Sequence, residues 1–192
     1  FTTAGLCLWH KEQFVLNRQL SRREPNLRDH QKVCPITGLY RVPYVLDALD
    51  SQLENAASVH VAAIDIQGFT AINAHYGGQI GNRILKEFCD VLVINSRLQD
   101  LVTRLAGDCF IVVMPATSAY EANIILTQIT QALAHCAFRA EAHSQPVYLR
   151  CRHSIVAPER AEQAQEMVTR AQRSLQQIKM QQSTDDARLH RA

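Results

Sequence analysis

The chain has 192 residues, of which 47% are hydrophobic, and a formal net charge of +2. This length fits one domain with an additional arm, and the apolar content is sufficient for a sizeable core. The nearly balanced charge excludes a general attraction to nucleic acid or to an anionic membrane, so an anionic ligand would need a local site. No apolar run is long enough to predict a membrane span, and no signal-peptide pattern is recognisable.

The cysteines and histidines do not predict a metal or disulfide framework. The six cysteines form no CxxC pair and the eight histidines form no HExxH motif. We therefore expect structural thiols in a protein of the reducing cytoplasm.

The first half of the chain predicts an arm, a helix and a buried strand. Residues 1–32 are charged and weakly amphipathic, which favours a helical arm or linker. The segment Tyr44–Asn55 has apolar residues on one helical face. The β-branched run Val59–Ile66 predicts a buried strand that carries a carboxylate, Asp65, near its end.

A long helix and a hairpin follow. Glycines at 77, 78 and 81 precede a stretch in which apolar residues recur every three or four positions up to Asn95. Leu101–Ala106 and Cys109–Met114 then predict two strands that flank a tight Gly107-Asp108 turn.

The last third predicts a helix over Ala119–Cys136, a strand over Val147–Val156 and a final helix opened by Pro158. Because strands and helices alternate around a central hairpin, we expect an α/β sandwich with a mixed or mostly antiparallel sheet. Residues 183–192 are expected to form a flexible tail.

Three segments carry a family resemblance. They are ITGLY (Ile36–Tyr40), IDIQGFTAIN (Ile64–Asn73) with the YG and GN pairs that follow it, and RLAGDCF (Arg104–Phe110). In order and spacing they resemble the motifs of the GGDEF, or diguanylate cyclase, family over about residues 33–182. The resemblance implies a nucleotidyl-cyclase-like sandwich behind the arm.

The resemblance also implies roles for individual residues. Active members condense two GTP molecules across a dimer with two divalent metals. Asp65 and Asp108 match carboxylates that would hold Mg²⁺. Asn73 and Asn82 match positions that read guanine, although the family has an aspartate at the second, and Lys179 matches a basic residue of the last helix.

Several substitutions fall on the phosphate and metal chemistry. Cys109 replaces the glutamate of the signature, Ala106 its first glycine, Gln67 a second aspartate and Thr70 a lysine. Loss of one charge-stabilising group can cost about 10²–10³ in rate. We therefore expect a degenerate site without catalytic residues.

Arg97-Leu98-Gln99-Asp100 matches the RxxD inhibitory motif of the family, with five residues between Asp100 and Ala106. A guanidinium can donate to the O6/N7 edge of guanine, and a carboxylate can accept from N1 and N2. A strand of about 20 Å would separate this pair from the signature hairpin. Gln128 stands at a position where the family has a further ligand-binding arginine. We therefore expect either weakened affinity or a site completed by an arginine from a second subunit or a neighbouring domain.

Four functions remain open from the sequence. The first is a cytoplasmic receptor in which Arg97 and Asp100 bind cyclic di-GMP without any required cofactor, within a larger or membrane-anchored protein or beside a partner protein. The second is a regulatory module that binds GTP without turnover, with Mg²⁺ at Asp65 and Asp108, and tunes an attached phosphodiesterase-type domain. Its residual nucleotide-binding residues would be Asn73, Asn82, Asp108 and Lys179. The others are a structural homodimerisation domain and a residual cyclase. No nucleic acid partner is expected.

Overall fold

The computed structural model describes residues 33–34, 37–55, 58–139 and 146–189. The predicted arm, residues 1–32, lies outside them. The helices are α1 (Val42–Glu54), α2 (Phe69–Tyr76), α3 (Gly78–Ile94), α4 (Ala119–His135) and α5 (Ala164–Leu189), and the strands are β1 (Val59–Ile66), β2 (Leu101–Ala106), β3 (Cys109–Pro115), β4 (Ala137–Arg139), β5 (Pro146–Tyr148) and β6 (Cys151–Val156). Over the described ranges, none of the helices has the length and hydropathy to span a bilayer.

The main sheet has the strand order β2-β3-β1-β6, and every neighbouring pair is antiparallel. In β1, Val59 lies opposite Pro115 and Asp65 lies opposite Cys109 of β3. A separate ribbon pairs β4 with β5. The expected α/β sandwich with a mostly antiparallel sheet is confirmed.

Both faces of β1 are covered, which explains its unbroken apolar sequence. Successive strand side chains point to opposite faces. Ala62, Ile64 and Ile66 pack in one core with residues of α3 and α4. Val61 and Ala63 pack in the other core with residues of α1 and α5.

The prediction of one strand over Val147–Val156 is wrong, because the segment divides into β5 and β6, which belong to different sheets. Leu149 between them is buried in the core next to α3 and α4. The chain thus changes from one sheet to the other at a buried apolar residue. The sequence does not show this change, because the whole segment has a β-forming composition.

The last helix begins at Ala164 rather than at Pro158, so that prediction is also wrong. The Oδ1 of Asp50 in α1 accepts a hydrogen bond of 2.7 Å from the backbone N–H of Ala164 and so satisfies a free donor of the first turn. This partner lies 114 residues away in the sequence. The helix continues to Leu189, so most of the segment expected to be a tail has helical backbone.

The loop between β6 and α5 is held by an ion pair. Arg170 donates through Nε and Nη2 to the two carboxylate oxygens of Glu162, at 2.8 and 2.7 Å, and through Nη2 to the carbonyl of Ala157. The hydrogen bonds from Arg170 lower the pKa of Glu162. A bidentate contact of this kind fixes the loop geometry as well as the charge.

We predict that Asp50→Ala lowers the free energy of unfolding by about 1 kcal/mol, since it removes the acceptor at the start of α5. Asp50→Asn, which keeps an acceptor oxygen, is expected to retain most of the stability. Urea denaturation measures both variants beside Asp47→Ala, which removes an exposed carboxylate of the same helix. An equal loss in Asp47→Ala and Asp50→Ala would contradict the capping role.

We predict that Glu162→Gln is less stable than the wild type at pH 7, by about 1 kcal/mol. Because the folded pKa of Glu162 is lowered, its contribution is complete above the ordinary pKa of about 4.3 and disappears as the pH falls through the folded pKa. Urea denaturation between pH 7 and pH 3 should therefore show that the free energies of unfolding of Glu162→Gln and of the wild type become equal in acid. Glu54→Gln, an exposed change in α1, should show no such convergence; a gap that is independent of pH would refute the assignment.

Candidate functional site

Arg97 and Asp100 lie in the turn between α3 and β2, where they bind each other. The Asp100 side chain is fully buried, at 0% exposed. Its Oδ2 accepts from the backbone N–H of Arg97 at 2.8 Å, and its Oδ1 accepts from Nε and Nη2 of Arg97 at 3.1 and 2.9 Å. Both carboxylate oxygens are therefore occupied by Arg97 in this structure.

The Arg97 guanidinium also joins this turn to the end of β3. Its Nη2 donates to the carbonyl of Pro115 at 3.1 Å and to the hydroxyl of Thr117. The Arg97 side chain keeps 29% of its surface exposed. The structure thus brings together the two residues that the sequence pairs, and holds them in a closed ion pair with the guanidinium at the surface.

Thr117 is a member of this cluster that the sequence analysis missed. Its carbonyl accepts from the Ser58 hydroxyl at 2.7 Å and makes a 2.9 Å hydrogen bond with Nδ1 of His60. The preceding residue, Ala116, has a φ of +48°, a conformation that is costly for a residue other than glycine. No local sequence motif predicts the contact between Thr117 and Arg97, because Thr117 lies 20 residues beyond Arg97.

At the other end of β1, Asp65 forms an ion pair with Lys179 of α5. The Asp65 side chain is 2% exposed and that of Lys179 is 35% exposed. Burial raises the pKa of Asp65, and the nearby charge of Asp108 raises it further, while the bond from Lys179 opposes both effects. Lys179, which the sequence assigned to nucleotide binding, therefore contacts the carboxylate that the sequence assigned to metal.

Cys109 lies directly opposite Asp65 in the sheet. Burial raises the pKa of the Cys109 thiol, and the charge of Asp65 raises it further. A protonated thiol supplies neither the charge nor the hard oxygen that Mg²⁺ prefers. Gln67, the other replaced acid, makes a 3.4 Å hydrogen bond with Gln182.

The donor set at this end fits a divalent metal poorly. An ammonium group already contacts Asp65, and a thiol stands where the family has a second carboxylate. Within the described part of the chain, no group of three or more His, Cys, Asp or Glu side chains is arranged to hold a metal ion. Asp65 and Asp108 are close enough to interact electrostatically.

Asn73 and Asn82 lie on α2 and α3 respectively. The Asn73 side chain covers Gly81, where an added Cβ would come within 1.7 Å of Oδ1 of Asn73. A residue with a Cβ at position 81 would therefore have to displace the Asn73 side chain. Asn82, the next residue, is exposed.

The two clusters occupy opposite ends of the main sheet. Arg97 reaches the carbonyl of Pro115, which lies opposite Val59 at the start of β1, whereas Asp65 is near its end. Six strand residues correspond to about 20 Å. The separation expected between the RxxD motif and the signature hairpin agrees with this register.

Comparison with protein families decides which family this is. The family described as "Diguanylate cyclase, GGDEF domain" matches residues 32–185. The chain belongs to the GGDEF domain family. The match spans both clusters, so the resemblance stated from the sequence is confirmed at the level of the family.

Similar proteins agree with this membership. The GGDEF domain is 28% identical over 149 residues to the diguanylate cyclase DgcP of Pseudomonas aeruginosa, covering 76% of this chain and 22% of that protein. It therefore spans about a fifth of the length of this curated relative.

Solved structures share the fold. Diguanylate cyclase SiaD of Pseudomonas aeruginosa, solved with its activator SiaC, superposes with a TM-score of 0.74 at 22% identity, covering 93% of this chain and 70% of SiaD. The GGDEF domain of DgcB from Caulobacter crescentus, solved with cyclic di-GMP, superposes with a TM-score of 0.71 at 18% identity. This match covers 78% of this chain and 90% of the DgcB chain.

We predict that Lys179→Met lowers the free energy of unfolding by about 1–3 kcal/mol, because it leaves the buried Asp65 carboxylate without its ammonium partner. The double variant that combines Lys179→Met with Asp65→Asn should also lose free energy of unfolding. Its loss should be about 1 kcal/mol smaller than the sum of the losses in the two single variants. Urea denaturation of the full cycle measures this coupling. Lys86→Met, at an exposed position of α3, is the control, and additive losses in the cycle would contradict the pairing.

Proposed function

We propose that this GGDEF domain is a non-catalytic receptor that binds cyclic di-GMP at the Arg97–Asp100 pair. The observation that carries the proposal is the convergence of an arginine and a buried aspartate in one turn, a strand's length from the eroded nucleotide end. The solved complex of the DgcB domain with cyclic di-GMP supports this choice of ligand.

The chemistry of the pair suits a guanine base. The guanidinium can donate to O6 and N7, and the carboxylate can accept from N1 and N2, so one guanine can satisfy both groups from two sides. Because the two groups now satisfy each other, the ligand must replace their mutual hydrogen bonds. Binding is therefore coupled to opening of the pair, which gives the domain two states for a signal to distinguish.

The nucleotide end supports the non-catalytic part of the proposal. Phosphoryl chemistry in this family depends on metals held by carboxylates. Here Lys179 contacts Asp65, and the Cys109 thiol has a raised pKa. These features argue against assembly of two metals and two GTP molecules, so the proposed role is recognition of the messenger without its synthesis.

A second candidate is a regulatory domain that binds GTP without turnover. The close packing of Asn73 on Gly81 and the exposure of Asn82 favour it, because both asparagines occupy positions that resemble the guanine-reading ones of active members. In either case we propose that the domain acts in the cytoplasm and passes its state to another domain of a larger protein, to a partner protein or to a second copy.

We predict that isothermal titration with cyclic di-GMP gives saturable binding, and that Arg97→Ala weakens it at least tenfold, since a charge-assisted contact is lost. The matched control is Arg104→Ala, at the opposite end of β2, where Nε of Arg104 donates to the carbonyl of Gly107. This control should bind as the wild type does.

A titration with GTP and Mg²⁺, followed by product analysis, completes this experiment. We expect no cyclic di-GMP to form. The receptor proposal would be overturned if the wild type shows no binding of cyclic di-GMP, or if Arg97→Ala binds it as tightly as the wild type does. Binding of GTP that is lost in Asn73→Ala would favour the second candidate.

A further inference from the structure

We infer that Thr117 is a positioning residue that holds the Arg97–Asp100 pair closed and so sets the affinity of the site for its ligand. The inference rests on the proposed function and deepens it.

The N–H groups of Arg97 are engaged on two sides. An arginine presents five of them in a planar fork. Nε and Nη2 both point to Oδ1 of Asp100, and Nη2 also donates to the Pro115 carbonyl and the Thr117 hydroxyl. Since a bidentate grip needs two parallel N–H groups, Nη2 must leave at least one of these acceptors before the fork can hold a base edge.

Thr117 can act as an anchor because it is fixed independently of Arg97. The residue is 1% exposed, and its hydroxyl donates to the Pro115 carbonyl at 2.8 Å while it accepts from Arg97. Its own carbonyl is bound by Ser58 and His60, on the side of β1. The hydroxyl therefore has little freedom to follow the guanidinium outward when the pair opens.

This arrangement gives the Thr117 hydroxyl an effect opposite to that of an ordinary ligand contact. When only an open fraction of molecules binds, the apparent Kd equals the intrinsic Kd divided by that fraction. Removal of one hydrogen bond to the guanidinium raises the open fraction, and the Pro115 carbonyl keeps part of the restraint. We expect loss of the Thr117 hydroxyl to lower the apparent Kd by about three- to tenfold. This change corresponds to the free energy of one partly compensated charge-assisted hydrogen bond.

Thr117→Val removes the hydroxyl, keeps the shape of the side chain and leaves the main-chain carbonyl in place. Thr117→Ser keeps a hydroxyl and is the rescue variant. The matched control is Thr127→Val on α4, whose exposed hydroxyl donates only to its own helix, at Asn123. Thermal unfolding first verifies that each variant folds.

Isothermal titration with cyclic di-GMP then compares the four proteins. We expect Thr117→Val to bind more tightly than the wild type, and Thr117→Ser and Thr127→Val to bind within twofold of it. Damage to the fold weakens binding, so tightening is a readout that a merely structural role would not produce. Unchanged or weaker binding by Thr117→Val, or equal tightening in Thr127→Val, would overturn the inference.

A second measurement needs no ligand. The NMR exchange rate of the Arg97 Nε proton with water reports opening of the closed pair, and we expect it to rise in Thr117→Val alone. If the wild type ignores cyclic di-GMP but this exchange accelerates, the receptor proposal fails while the positioning role stands. If the messenger binds but exchange and affinity are both unchanged in Thr117→Val, the positioning role fails and the receptor proposal stands.

Discussion

The buried carboxylate of Asp100 imposes the main constraint on this domain. A carboxylate without access to water must be hydrogen-bonded and paired, and leaving it unsatisfied costs several kcal/mol. Arg97 meets this need with a backbone N–H and two side-chain bonds, so the two residues fix the turn that leads into β2. The same guanidinium extends to Pro115 and Thr117, which makes one charged group the connection between the start of β2 and the end of β3.

A second ion pair with a buried carboxylate, Asp65 with Lys179, lies at the opposite end of the sheet. The two pairs are separated by β1, all of whose residues are buried and which pairs on both edges. This separation is compatible with the proposed function, in which the Arg97 end binds a regulatory ligand and the Asp65 end has no catalytic role.

Local sequence pattern predicted the elements whose stability is local. The hairpin around Gly107-Asp108 and the amphipathic helix before it lie where periodicity and turn chemistry place them. The errors involve contacts that periodicity does not show: the start of α5 is bound by Asp50 of α1 as well as locally by Glu166, and the stretch around Leu149 changes sheets. The motif spacing likewise placed Arg97 beside Asp100, but their closure on each other and the role of Thr117 depend on contacts across the fold that one sequence does not encode locally.

We propose that the messenger binds at the Arg97 end of the sheet rather than at the signature hairpin. Backbone amide NMR during titration with cyclic di-GMP tests it most directly, because each residue reports separately. We expect saturable chemical-shift changes centred on residues 97–100 and on Thr117, with the signals of Asp65 and Asp108 nearly unmoved. Shifts confined to the hairpin and to Asp65, or an unchanged spectrum at saturating messenger, would contradict it.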